Sequence, residues 1–273
     1  MDTIQEEESG MVHHSHKFQL EKEEGLKILA ICGSPHKGKT LKVLKWIKSA
    51  YPNIDLKIMK LAKMNLKPCK GCDICVLNGE EFCPLKDDRT LILDQMLAAD
   101  GVIFASPVYV NHISALMQSF FERLRYNSHR PQFYKKFAMV ISVINDYGAK
   151  ESNEYMENIV SSFGFDVISK LEIRFLTNSE KEDTFNFKQT FDAFNSFLIG
   201  IKKGIRKPPT VDNLVKFHLF KHISETYKEK YKADYAYYKD KKEYPYDGQI
   251  NVFKKMLTDQ YVQRFEHETK VLM

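Results

Sequence analysis

The octapeptide GSPHKGKT, residues 33–40, has the composition of a loop that binds a phosphate group. Its letters satisfy the pattern G-x-x-x-x-G-K-T of an ATP phosphate loop, with Lys39 and Thr40 at the lysine and magnesium-hydroxyl positions. A helix that begins at such a loop offers unpaired N–H donors and a favourable dipole to any anion. The loop therefore indicates phosphate binding, and the rest of the chain must distinguish ATP from a phosphorylated cofactor.

Four of the five cysteines form a second group of residues that could take part in metal or redox chemistry. Two residues separate Cys69 from Cys72 and Cys72 from Cys75, and seven residues separate Cys75 from Cys83, which precedes Pro84. In a reducing compartment, clustered thiols more often indicate metal or redox chemistry than structural disulfides. This spacing is similar to a bacterial four-iron four-sulfur run with a longer last gap, and four thiolates also suit zinc. A loop that binds no metal is the third alternative, whereas Cys32 is expected in a strand core.

Short apolar runs alternate with amphipathic segments from Leu26 onward. The runs are long enough for buried strands and too short for helices, and the segments between them have helical periodicity. The predicted strands are residues 26–32, 54–61, 101–107, 137–144 and 165–173, and the predicted helices are residues 40–51, 89–99, 114–124, 151–163 and 185–205.

This alternation predicts an α/β fold, a doubly wound five-stranded parallel sheet with helices on both faces. In such sheets ligands bind beyond the carboxyl ends of the strands, where the strand order reverses. We therefore expect the site to be formed by the loops 33–40, 106–114 and 145–150.

Composition places the chain among soluble globular proteins. It has 273 residues, 43% of them hydrophobic, and no apolar run approaches the ~18–20 residues that a membrane span needs. Its N-terminus, MDTIQEEESG, is acidic where a signal peptide would be basic and then apolar, so a cytoplasmic location is expected. Residues 1–25 are predicted to be a flexible tail, in which His13, His14 and His16 have no fixed backbone that would hold a metal.

The sequence divides after the last predicted strand–helix unit. Residues 26–206 are predicted to be the main domain, with a cysteine-rich insert at 67–88, and residues 207–273 a helical C-terminal extension. The part from residue 201 onward carries 16 of the 41 basic and 10 of the 36 acidic side chains, and eight of the 14 tyrosines. These tyrosines and lysines could stack on and contact a nucleic acid. Packing on a neighbouring subunit is the preferred interpretation, so a homo-oligomer, most simply a dimer, is expected without nucleic acid or membrane as a partner.

The loop after the third strand argues against an NTPase. That strand ends in Ser106-Pro107 where a magnesium-binding aspartate would be expected, although Asp146 after the fourth strand leaves this alternative open. The sequence SPVYVNHISA instead suits a flat aromatic cofactor. Proline stiffens such a loop, so that backbone amides can meet the polar edge of a ring system while Tyr109 covers its face.

Several motifs in order resemble the flavodoxin-like NAD(P)H-dependent FMN reductases, which include the iron-sulfur flavoproteins. The motifs are GSP-x-x-G-x-T, the cysteine segment that ends in CPLKDD, ADGVIFASPVY followed by ISALMQSFFERL, and HRPQF. The resemblance extends from about Leu26 to Leu176. Judged by the family pattern, the match of Lys39 to the lysine of an ATP phosphate loop is a coincidence. Departures from the family pattern are His36 for arginine, Lys39 for asparagine, Val110 for an aromatic residue, and NDYGAK for a glycine-rich turn.

The resemblance implies a flavodoxin-like fold that binds FMN, with NAD(P)H as substrate. The implied phosphate contacts lie in the first loop and the ring contacts in the second and third, and no acid–base pair is required because the flavin supplies the chemistry. His112 is a candidate to approach the flavin or the nicotinamide. The expected cofactor-binding residues are Ser34, Pro35, His36, Gly38, Lys39, Thr40, Pro107, Val108, Tyr109, Val110, Asn111, His112, Asn145 and Tyr147, and the expected metal ligands are Cys69, Cys72, Cys75 and Cys83.

The resulting functional hypothesis is an FMN-dependent NAD(P)H oxidoreductase that passes electrons to a flavin, a quinone or a similar small acceptor. The first alternative is an iron-sulfur flavoprotein that carries single electrons, with a redox protein as partner. A P-loop NTPase and a flavin-binding protein without turnover are further alternatives.

Overall fold

The computed structural model describes residues 25–271, so the predicted flexible tail and its three histidines lie outside the described residues, apart from Gly25. Within this range, five parallel strands form the sheet, and a short sixth strand pairs with one of them. The strands are β1 (Lys27–Cys32), β2 (Asp55–Lys60), β3 (Gly101–Tyr109), β4 (His112–Ile113), β5 (Phe137–Ile144) and β6 (Asp166–Arg174).

The strand order is β2-β1-β3-β5-β6, which is the flavodoxin type of doubly wound order and confirms the predicted fold class. Neighbouring strands on this path are all parallel. The strand β4 was not predicted, and it pairs antiparallel with the end of β3, placing Tyr109 opposite His112. The carboxyl ends of β1, β3 and β5 are therefore adjacent, at the point where the strand order reverses.

Both faces of the sheet are buried, as the continuous apolar runs predicted. Along β1, Ile28 and Ala30 face one hydrophobic core, and Leu29 and Ile31 face the other. Cys32 belongs to the first of these cores, where burial raises the pKa of its thiol, so it is a strand-core residue as expected.

Nine α-helices complete the described part of the chain. None of them has the length and apolar character needed to cross a membrane. The helix before the extension begins five residues earlier than predicted, because the Ser179 side chain accepts from Glu182 N–H and caps it. The helices are α1 (Lys39–Ala50), α2 (Ile74–Leu77), α3 (Arg89–Ala98), α4 (Ala115–Arg123), α5 (Ala149–Ser162), α6 (Glu180–Lys203), α7 (Val211–Thr226), α8 (Lys232–Tyr238) and α9 (Val252–Val271).

The helices α7, α8 and α9 follow the Lys207-Pro208-Pro209 segment and pack on the same chain. A capping box between Thr210 and Asn213 begins α7. The helix α8 lies against α2 in the cysteine segment, and its Tyr238 is fully buried. The tyrosine-rich sequence is therefore used, at least in part, for packing within the chain.

Candidate functional site

Three loops meet at the carboxyl edge of the sheet, after β1, β3 and β5. The first two are joined through serine side chains. Ser106 Oγ accepts from Ser114 N–H at 2.9 Å, and Ser114 Oγ donates to the Gly33 carbonyl at 2.7 Å. Gly33 N–H donates in turn to the Ala105 carbonyl at 2.8 Å. Because Ser106 and Ser114 are buried, these bonds fix the first loop relative to the second.

The first loop ends at the N-terminus of α1. Gly38 is the N-cap residue and has no side chain that could accept from the first turn, so the N–H groups there are available to an external anion. A Cβ added at Gly38 would lie 2.7 Å from His36 Nε2, which shows that the His36 ring folds back over this glycine. Ser34 and Thr40 are buried, whereas Pro35 and His36 are exposed.

The second loop is a tight hairpin between β3 and β4. Val110 and Asn111 both have left-handed backbone conformations, with φ of 52° and 59°, as in a two-residue type I′ turn. Asparagine tolerates this conformation, but a β-branched valine there is strained. The Val110 side chain is 99% exposed, and Tyr109 is 44% exposed. The hairpin therefore presents an apolar tip to solvent, while Pro107 beneath it is buried.

The third loop is tied to both of the others. Lys39 Nζ donates to Asn145 Oδ1 at 3.2 Å and lies 3.5 Å from the Phe175 carbonyl, so the Walker-type lysine bridges loops across the site. Gly148, at φ 93°, lies so close to the hairpin that an added Cβ would be 2.7 Å from Asn111 Cα. Only glycine fits this backbone position.

Of the remaining predicted cofactor residues, Asn145, Tyr147 and His112 are exposed at this edge, and Val108 is half-buried. The His112 ring packs edge-on against Tyr155 with centroids 4.4 Å apart, and Tyr155 Oη donates to Gln118 Oε1 at 2.8 Å. A packing contact thus accounts for the orientation of His112.

These features fit the FMN that the resemblance implies. A phosphate needs N–H donors at a helix end that no side chain caps, which Gly38 provides. An isoalloxazine ring needs a flat edge of backbone and an apolar cover, and the hairpin with Tyr109 lies beside that helix end.

The four cysteines of the second group lie around one surface pocket. They differ in exposure, since Cys72 is exposed, Cys69 and Cys75 are half-buried, and Cys83 is buried. The side chains around this pocket are Cys69, Lys70, Cys72, Asp73, Cys75, Cys83, Pro84, Leu85, Glu122, Arg123 and Arg125.

Cys83 lies in a positively charged environment. Burial tends to raise the pKa of its thiol, but hydrogen bonds from Arg123 and from the Leu85 N–H, with the charges of Arg123 and Arg89, lower it overall. Arg123 Nη1 lies 3.2 Å from Cys83 Sγ, and Arg123 Nη2 donates to both carboxylate oxygens of Asp87 at 3.0 Å. The thiolate, which is the form that binds metals, is therefore easier to form at Cys83 than at an ordinary cysteine.

The neighbouring Cys75 has the opposite tendency. Burial raises the pKa of its thiol, Arg125 lowers it, and the nearby Cys83 and Cys69 raise it further. Cys75 therefore lies close to both Cys83 and Cys69. Within the described residues, however, no three cysteine, histidine or carboxylate side chains are arranged as ready metal ligands. The cysteine thiols are chemically suited to bind a metal or a cluster. Their sulfur atoms, however, are not arranged as a complete set of ligands around one point.

Several residues of this region were not identified from the sequence. Ser106 and Ser114 could have been suspected from the helix-capping position of Ser114. Arg123 and Arg130 lie within the motifs ISALMQSFFERL and HRPQF, but these motifs do not indicate their partners Asp87 and Asp234, which are 36 and 104 residues away in the chain.

Comparisons with known proteins identify the family of this chain. The sequence profile of the NADPH-dependent FMN reductases matches residues 26–175. An iron-sulfur flavoprotein of Archaeoglobus fulgidus is 34% identical over 102 residues, which is 37% of this chain and 49% of the relative. One of Methanocaldococcus jannaschii is 36% identical over 103 residues, covering 37% of this chain and 52% of the relative. These alignments span only about half the length of those two relatives.

A second iron-sulfur flavoprotein of Archaeoglobus fulgidus aligns more fully, at 26% identity over 220 residues, 79% of this chain and 99% of the relative. Among solved structures, RosB with bound 8-demethyl-8-formylriboflavin-5'-phosphate superposes with a TM-score of 0.52 at 17% identity, covering 83% of this chain and 92% of that one. The superposition shows a shared fold. The match of the family profile to more than half of the sequence shows that the chain belongs to the NADPH-dependent FMN reductase family.

Proposed function

We propose that the protein is an FMN-dependent NAD(P)H oxidoreductase that passes electrons to a flavin, a quinone or a similar small acceptor. The observation that carries this proposal is the convergence of three loops at an uncapped helix N-terminus, in a chain of the FMN reductase family. When bound, FMN would accept a hydride and release electrons in pairs or singly. The protein would supply orientation and electrostatics.

The first loop, residues 34–40, would bind the FMN phosphate. Its N–H groups at the start of α1 would donate charge-assisted hydrogen bonds to the phosphate oxygens, with Thr40 in the first turn beside them. Lys39 adds a positive charge, although its ammonium also contacts Asn145. The first loop would therefore contribute most of the affinity.

The second and third loops would hold the ring system. The backbone of residues 107–112 would meet its polar edge, Tyr109 would cover one face, and Asn145 and Tyr147 would line the far side. The exposed tip at Val110 leaves solvent-accessible space beside this position. That space would admit a nicotinamide and then an acceptor in turn.

FMN titration and NAD(P)H oxidation test this proposal. Purified protein should bind one FMN per chain and oxidise NADH or NADPH steadily with a quinone or free flavin as acceptor. Thr40→Ala should weaken FMN binding with an unchanged circular dichroism spectrum, while Thr184→Ala on exposed α6 serves as the matched control. Uptake of Mg-ATP without FMN binding would refute the proposal, and FMN binding without turnover would indicate a flavin-binding protein that is not an enzyme.

A second function is favoured by the cysteine pocket and by relatives that are named iron-sulfur flavoproteins. In this alternative, Cys69, Cys72, Cys75 and Cys83 would hold a four-iron four-sulfur cluster, and the protein would carry single electrons to a redox protein. The shared pocket, the closeness of Cys75 to Cys83 and Cys69, and the lowered pKa of the Cys83 thiol support it. Zinc is the other metal that the same thiolates would accept.

Chemical analysis distinguishes these occupants. Anaerobically purified protein should contain about four iron and four acid-labile sulfide per chain if it holds the cluster, and Cys72→Ala should remove them. About one zinc without sulfide would identify a zinc site. Neither metal, together with full FMN content and full turnover, would leave a plain flavin reductase.

The assembly is also a proposal. We infer a homo-oligomer, most simply a dimer, located in the cytoplasm, in which exposed apolar residues of α9 such as Phe253 and Met256 contact a second copy. Light scattering of the full chain should give twice the chain mass of 31.9 kDa. A monomeric mass at micromolar concentration would refute the dimer.

A further inference from the structure

The cysteine segment and the C-terminal extension are joined by one buried guanidinium group. Arg130, in the connection between α4 and β5, is 4% exposed. Its Nη2 donates to the Cys75 carbonyl at 2.6 Å and to Glu80 Oε2 at 2.8 Å, and its Nη1 donates to the Val76 carbonyl at 3.0 Å. Three acceptors of the cysteine segment thus converge on a single side chain.

The same guanidinium group is paired with the extension. Arg130 Nη1 also donates to Asp234 Oδ1 of α8, and Asp234 is 1% exposed. The other Asp234 oxygen lies 3.0 Å from His129 Nδ1. A carboxylate buried this deeply needs its cationic partner, and the guanidinium needs its anionic partners. The two groups therefore hold each other in place, and Arg130 is kept at the cysteine segment by a residue of the extension.

Further contacts join the extension to the two neighbours of Arg130, His129 and Pro131. Tyr237 Oη donates to the Pro131 carbonyl at 2.6 Å, and Tyr238 Oη donates to the His129 carbonyl. The His129 ring stacks on Phe220 of α7 with centroids 3.9 Å apart. The extension therefore contacts the chain on both sides of Arg130, at His129 and Pro131. A displacement of α8 would move Arg130, whose guanidinium group donates to the Cys75 carbonyl.

We propose that the extension acts as a clamp on the cysteine segment, with Arg130 and Asp234 as positioning residues that fix the backbone at Cys75. Opening of α8 releases Arg130, and the carbonyls of Cys75 and Val76 then lose their buried donor. The reactivity of the Cys75 thiol, or its retention of a metal, is thereby linked to the ordering of the extension. The clamp does not depend on which group the cysteines bind.

The test uses the full chain with Asp234→Asn, which keeps the size of the side chain and removes its charge. Its matched control is Asp212→Asn, because Asp212 lies exposed in the same extension and pairs with Lys216 at 2.7 Å. Iron content is measured first. For iron-free protein the readout is the rate of alkylation by iodoacetamide at Cys75 and Cys32, resolved by peptide mass; for iron-containing protein it is the rate of iron release to a chelator.

Asp234→Asn should accelerate Cys75 alkylation, or iron release, by about tenfold or more, since a charge-assisted hydrogen bond to a buried group is lost. The Asp212→Asn rates should equal those of the wild type, and Cys32 should stay protected in every variant. Unchanged rates at Cys75 would overturn the clamp. An equal acceleration at Cys32 would also overturn it, because that result indicates general loosening of the fold.

A measurement on the wild type decides the question if Asp234→Asn does not fold. Native-state hydrogen exchange should show that the amides of Val76, Leu77 and α8 open together, with the same dependence on denaturant. Separate opening of the two segments would refute the clamp. Absence of iron would contradict only the proposed cluster. The alkylation and hydrogen-exchange results would still test the clamp.

Discussion

The cofactor loops and the cysteine segment are held in place by different kinds of interaction. At the carboxyl edge of β1, β3 and β5, the loops are fixed by backbone and hydroxyl hydrogen bonds, by close approach of glycines, and by the half-buried Lys39. The cysteine segment is instead fixed by the buried guanidinium groups of Arg89, Arg123 and Arg130. The loops can therefore stay open to ligands, whereas the cysteine segment depends on charges that must remain paired.

Replacement of Arg123 by Met should have the largest effect and sharpen this contrast. Arg123 and Asp87 are both buried, and removal of one partner leaves the other as an uncompensated charge. We expect the free energy of unfolding to fall by about 3–5 kcal/mol in urea denaturation. Arg125→Met is the control, because its ion pair with Asp73 is exposed and should contribute less than about 1 kcal/mol. Equal losses in the two variants would contradict the role assigned to buried charge.

Replacement of Gly148 by Ala should have the next largest effect, and it tests the cofactor loops. The positive φ and the contact with Asn111 Cα leave no room for a methyl group, so we expect a loss of about 2–3 kcal/mol and weaker FMN binding. Gly204→Ala is the matched control, because Gly204 has a φ of 60° and open space around it. The control should cost about 1 kcal/mol and leave the FMN dissociation constant unchanged. Identical behaviour of the two variants would show that the hairpin contact is unimportant.

Acid should weaken the cysteine segment before it affects the cofactor loops. Burial alone would raise the pKa of Asp87. Hydrogen bonds from the N–H groups of Lys67 and Arg89 and from the Arg123 guanidinium outweigh this effect, so the pKa of Asp87 is lowered overall. A carboxyl group with a lowered pKa in the folded state stabilises that state above its unfolded pKa, and this stability is lost as the pH falls through the folded pKa. The stability difference between wild type and Asp87→Asn should therefore shrink below about pH 4. A difference that is constant from pH 7 to pH 3 would contradict the pairing.

The smallest expected effect is that of Val110→Gly, which should stabilise the protein slightly. Glycine relieves the strained φ of 52° at an exposed position, although it also increases the freedom of the unfolded chain. We expect a gain of no more than about 1 kcal/mol in thermal unfolding. Loss of turnover with an unchanged FMN content would show that the strained hairpin tip serves the reaction. A loss of stability would contradict the strain itself.

The sequence predicted the parts of the molecule that local patterns determine. All five strands of the parallel sheet and the helices between them are confirmed within a few residues, because buried strands and amphipathic helices leave a periodic signal. The short strand β4 was missed because two residues are too few for any pattern, and its turn uses Val110 where glycine or asparagine would be expected.

The interactions around the cysteines could not be predicted in the same way. Pairing of Arg130 with Asp234 depends on how the extension folds back over the domain, and no local pattern encodes a contact between residues so far apart. The expected use of the extension was contact with a neighbouring subunit, and the structure shows α7 and α8 packed on their own chain. Contact of α9 with a second copy stays a prediction.

The helix α4 also connects the two regions mechanically. Its N-cap residue Ser114 is bonded to the first cofactor loop, and Arg123 in its last turn is bonded to Cys83. Nine residues at a rise of 1.5 Å make it a spacer of about 14 Å, and each residue turns the helix by about 100°. The distance between the two regions and their relative rotation about the helix axis therefore depend on the number of residues in α4. Insertion of a single residue would rotate Arg123 away from Cys83 while Ser114 kept its place.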